Sequence, residues 1–185
     1  MSIKRILIVI SNGDAFGNVS HHLAAWIKGL TEPVSVTLLA VVDEETVATA
    51  SAFGGYFDIP REPERREIVA QKAIEEKERY LEELEARFRL DGIAAEKKVR
   101  LGKLSEEVMN EAVGGNAYAI AVLADRRSRL FSASTVEEII GSAPCPVIVF
   151  SPRLIRFSES KKALASKAPT SSMASVLLSG VERWP

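Results

Sequence analysis

Residues 134–149 read Ser-Thr-Val-Glu-Glu-Ile-Ile-Gly-Ser-Ala-Pro-Cys-Pro-Val-Ile-Val, and this stretch decides the fold class. Ser134 to about Ile140 reads as a helix that stops at Gly141, with Pro144 beyond as a second breaker. Pro146–Phe150 then gives a short, nearly continuous apolar run. Runs of this kind suit strands buried on both faces, as in a parallel sheet. Helix, stop and apolar strand within seventeen residues is one repeat unit of an alternating α/β chain.

The same texture recurs upstream. Ile3–Ile10, Pro33–Val42 and Tyr118–Ala124 are short and apolar, and the first two are rich in Ile and Val. Ala94–Leu101 is more polar, with Glu96, Lys97 and Lys98 interrupting, and fits an edge strand whose charges discourage stray pairing. Helical patterns fill the gaps. Val19, Leu23, Trp26, Ile27 and Leu30 recur at helical spacing, with Asn18 as the expected cap. A long, charged helix is expected from Pro63 to about Arg89. Its apolar stripe is Ala70, Ala73, Ile74, Tyr80, Leu81, Leu84 and Phe88. Its outer face carries the i,i+4 pairs Glu75/Arg79, Glu83/Arg87 and Glu85/Arg89. Asp91-Gly92 ends it. A third helix spans about Ser105–Val113 and stops at Gly114-Gly115.

The order is therefore β-α-β-α-β-α-β-α-β, which calls for right-handed crossovers and helices on both faces of a parallel sheet. Thr46–Glu62, with Phe53, Gly54-Gly55, Tyr56 and Phe57, is expected as a long loop, of the length used for lids, contact surfaces or mobile connections. The α/β domain is expected to span 1–151. Residues 152–185 read as a tail rich in Ser, Lys, Ala and Pro. Within it Met173, Val176, Leu177, Val181 and Trp184 share one helical face and mark a short docking element.

Composition narrows the function classes. With 24 Lys and Arg against 25 Asp and Glu in 185 residues, the formal net charge is −1, and no basic field marks a nucleic-acid partner. The single cysteine, Cys145, excludes an internal disulfide and a Cys-based zinc site, and fits a reducing, cytoplasmic compartment. The longest apolar run is far short of the roughly 20 residues a membrane span needs. Cys145 itself, between two prolines, reads as a small buried apolar residue. His21 and His22 are adjacent on a helix and point about 100° apart, so they cannot share one metal; a surface pair is expected and no metal site.

Ligands of open α/β sheets bind beyond the carboxyl ends of the strands, where strand order reverses. The loops there are Ser11–Asn18 and Asp125–Ser132. The first contains Ser11 and Gly13 but matches neither a dinucleotide fingerprint nor a Walker loop, and a βα turn with positive φ at Gly13 is the favoured reading of it. The second holds Arg126, Arg127 and Arg129, just before the helix start at Ser134 and Thr135. Three guanidinium groups, two hydroxyls and free helix N–H groups suit a phosphate. The competing reading pairs those arginines with Asp125, Glu137 and Glu138, or leaves them in solvent. Nothing in the chain assembles a general base, nucleophile and metal set, so no enzyme activity is expected.

Taken together, Lys4-Arg5-Ile6-Leu7-Ile8-Val9, Leu38-Leu39-Ala40-Val41-Val42-Asp43, Val99-Arg100-Leu101-Gly102 before Ser105-Glu106-Glu107-Val108, Ala119–Leu123, and above all 134–149 resemble the universal stress protein family over residues 1 to about 151. The resemblance implies a Rossmann-like α/β fold: one five-stranded parallel sheet, order 3-2-1-4-5, with helices on both faces. It implies a homodimer, and a role in stress resistance or signalling with no known catalytic reaction. ATP-binding members carry an Asp at the end of strand one and a Gly-x-x-Gly, nine residues, Gly-Ser/Thr loop after strand four. Here Ser11 replaces the Asp. Ala124, Arg127 and Ala133 stand at the glycine positions, with only five residues between the last two; Ser134 alone matches. Val42 keeps the position where adenine meets backbone. A Cβ or an arginine where glycine is needed obstructs close approach to phosphate. The expectation is a module that requires no cofactor and does not hold ATP tightly. The alternative is an atypical binder of ATP, AMP or phosphate through the arginine loop. Order 3-2-1-4-5 also places Val147, Ile148, Val149 and Phe150 at a bare sheet edge, the expected dimer interface. An unidentified protein partner is compatible with all of this.

Overall fold

The computed structural model describes residues 3–10, 13–53, 62–123 and 133–150. Ten elements alternate along them: β1 (Lys4–Ile10), α1 (Gly13–Lys28), β2 (Val34–Val42), α2 (Glu44–Phe53), α3 (Glu62–Leu90), β3 (Ala94–Leu101), α4 (Leu104–Gly114), β4 (Ala119–Leu123), α5 (Ala133–Ser142) and β5 (Val147–Phe150). The five strands form one parallel sheet in the order β3-β2-β1-β4-β5. Each apolar run of the sequence becomes a strand, and the polar run 94–101 takes an edge. The expected tail and docking helix, residues 152–185, lie outside the described residues.

Strand residues alternate between two layers. On one face Leu7, Val9, Leu39, Val41, Ile120 and Val122 pack with Leu104, Val108 and Ala112 of α4 and Ile139 of α5. The alternate set, including Ile6, Ile8, Val36 and Leu38, is equally buried. On that side α3 lies over β3 and β2 and touches α1. The α3 stripe is deepest in its second half. Leu81, Leu84 and Phe88 are buried, whereas Ala70, Ala73, Ile74 and Tyr80 are half-buried. Strands buried on both faces need no alternation of polarity, which is why β1 and β2 read as continuous apolar runs.

Helix ends follow local chemistry. Gly92 takes φ +76 after α3, a conformation that a Cβ would strain. At the end of α4 the left-handed residue is Asn116, φ +48, and not a glycine. Gly115 serves a different need: a Cβ there would come within 2.8 Å of the Arg5 guanidinium and of the Glu111 carbonyl oxygen.

Three expectations are corrected. Asn18 does not cap α1, which starts at Gly13; no proline interrupts 13–28, and a nucleated helix propagates through the modest penalty of Gly17. Gly13 accordingly belongs to the helix and not to a separate βα turn before it. The segment Thr46–Glu62 is not all loop, because α2 occupies 44–53 and makes two helices between β2 and β3. The cause is Asp43. Its Oδ2 accepts from the Thr46 backbone N–H at 2.9 Å and from the Thr46 hydroxyl at 2.9 Å, while its carbonyl accepts from Val47 N–H at 3.1 Å. That is an N-cap with Glu44 and Glu45 in the favourable first turn.

Candidate functional site

Strand order reverses between β1 and β4, so the crevice beyond their carboxyl ends is where a ligand of this fold belongs. Ser11, Arg126, Arg127 and Arg129 lie outside the described residues. The structure places the remaining candidates on three elements: Gly13 at the start of α1, Val42 at the end of β2, and Ser134 with Thr135 in the first turn of α5.

The end of β2 is firmly built. Val42 is 5% exposed, and its carbonyl accepts a hydrogen bond from the Gly102 N–H at 3.1 Å. Its neighbour Asp43 is committed to capping α2. Backbone at this point is therefore fixed from two sides, by the end of β3 and by the start of α2. A carbonyl has two lone pairs, so Val42 retains one acceptor position.

The start of α5 is built differently. Ser134 is exposed and Thr135 half-buried, and the first turn carries no acidic residue. The positive end of the helix dipole is thus not matched by a carboxylate of its own first turn. One turn on, Glu138 accepts from the Lys103 ammonium at 2.7 Å. That hydrogen bond holds the Glu138 carboxyl below the usual carboxylate range, and Glu138 in turn raises Lys103. The sequence offered Glu138 as a partner for the arginine loop. Lys103, 35 residues away at the junction of β3 and α4, is a partner of Glu138 that the sequence did not offer, while the arginines lie outside the described residues. No local signal announces this pair, because it exists only once α4 and α5 lie side by side.

Residues 2–151 match the sequence profile of the universal stress protein family. The chain belongs to this family. No curated protein sequence matches it. Solved structures share the architecture. The hypothetical protein MJ0577 superposes with a TM-score of 0.60 at 19% identity, covering 82% of this chain and 97% of that one. The universal stress protein UspA from Lactobacillus plantarum gives 0.58 at 17%, covering 81% and 99%. A universal stress protein family member from Burkholderia pseudomallei gives 0.56 at 18%, covering 80% and 95%. At these identities the likeness is one of fold.

The remaining candidates of this universal stress protein are His21, His22 and Cys145. His21 is exposed and His22 half-buried, with ring centroids 6.1 Å apart and planes at 69°. Among the described residues no group of His, Cys, Asp and Glu is arranged to hold a metal ion, and no helix is long and apolar enough to cross a membrane. Cys145 is half-buried against the α4/α5 core, and burial pushes its thiol up from the ordinary value, away from the reactive thiolate. Asp43 is the structural residue the sequence reading passed over. Its signal was present: an Asp three residues before a Thr, at the start of Asp-Glu-Glu-Thr.

Proposed function

We propose that this universal stress protein is a non-enzymatic, cytoplasmic, dimeric module of stress response or regulation that does not hold ATP tightly. The observation that carries the reading is the phosphate end of the crevice. Helix α5 begins on Ala133, which in the sequence takes the position of the family's third loop glycine, and a residue other than glycine at that position hinders the close approach of backbone to phosphate. The other departures agree with it. Ala124 and Arg127 take the two earlier glycine positions, the loop between Arg127 and Ala133 is four residues short of the nine-residue spacing, and Ser11 stands in place of the strand-one Asp. The adenine end is retained at Val42, which leaves a nucleotide with half a site. The absence of a nucleophile, base and metal set from the sequence supports the non-enzymatic part of the reading.

A second reading rests on the start of α5, where Ser134 and Thr135 stand in a first turn free of acidic residues. Lys103 competes with the loop arginines for Glu138. A simple anion bound there by Arg126, Arg127 and Arg129 is the form of binding this supports. One calorimetric series separates the readings. ATP should give a dissociation constant weaker than about 10 μM, above roughly −7 kcal/mol, whereas a tighter value overturns the main reading. Inorganic phosphate should bind measurably, and lose that binding in Arg126→Ala/Arg127→Ala, only under the second.

A further inference from the structure

We draw no further inference here: the strongest candidate, the apolar cavity of about 370 Å³ between α2, α3 and the end of β3, lined by Val47, Pro63, Ala70 and Leu101 together with charged residues of α2 and α3, carries nothing because nothing in the structure shows what covers it.

Discussion

The two edges of the sheet are built on opposite principles. β3 is eight residues long and charged, and its side chains reach to the helices of both layers. Lys97 pairs with Glu82 of α3, and Lys98 with Glu111 of α4. Arg100 stands 3.6 Å from Glu111, and Glu96 accepts from the Thr37 hydroxyl at 2.8 Å. β5 is four residues, Val-Ile-Val-Phe, with no charge, and Val149 is 39% exposed. Beyond its ladder to β4 and the packing of Val147 on the α4/α5 core, Phe150 meets Trp26 of α1 edge to face, centroids 5.8 Å apart. Ions placed along an edge make it a poor template for a second strand, while a bare apolar edge invites one. Among the described residues, then, the sheet ends at β3 on a strand tied to its helices by ions, and at β5 on an apolar strand without them; under the proposed dimer, pairing is expected at β5 and not at β3.

The guarded edge depends first on the helix behind it. Phe88 is fully buried beneath α3, and its carbonyl accepts from the Ile93 N–H at 2.9 Å where the chain turns into β3. Phe88→Ala should cost about 3–5 kcal/mol in urea unfolding. A cost below about 1 kcal/mol would mean that α3 does not hold this edge.

Removing the guard while keeping every apolar core side chain makes a sharper contrast. Glu96→Thr/Lys97→Thr/Lys98→Thr leaves a strand rich in β-branched residues, and Arg100 still stands beside Glu111. With both edges open, pairing no longer closes, and the variant should form species larger than a dimer in light scattering. A mass unchanged from wild type would show that these charges do not guard the edge.

Most of this contrast was legible in the sequence. The charges of 94–101 against the bare 147–150 separate the two edges, and continuous apolar runs mark strands covered on both faces. What was not legible depends on contacts across the fold. The Lys103–Glu138 pair needs α4 beside α5, and the Lys98–Glu111 pair needs α4 beside β3. The α2 helix is a different case. Asp43 and Thr46 announced its cap, but Gly54-Gly55 and the aromatics after it made the whole segment read as loop. For the site, Val42 fell at the predicted strand end and Ser134 at the predicted helix start, whereas Gly13 did not form its turn because α1 extends over it.

The smallest expected effect is electrostatic. The Thr37 hydrogen bond holds the Glu96 carboxyl below its ordinary value near 4.5, with Lys98 and Arg5 adding to it against an opposing burial effect. A carboxyl depressed in the folded state contributes stability above its unfolded pKa, and loses it as pH falls through the lower folded value. Glu96→Gln should therefore flatten the fall in melting temperature below pH about 4.5, by a small amount because Glu96 is half-exposed. Parallel acid limbs for the variant and wild type would remove Glu96 from the guard.

Native mass spectrometry of freshly purified protein reports both assembly and co-purified ligand in one spectrum. A wild-type dimer without nucleotide is expected, and a folded monomer for Val149→Lys, whose charge would stand in the β5 edge. A wild-type monomer, a Val149→Lys protein that stays dimeric, or a stoichiometric ATP on either would contradict the proposed function.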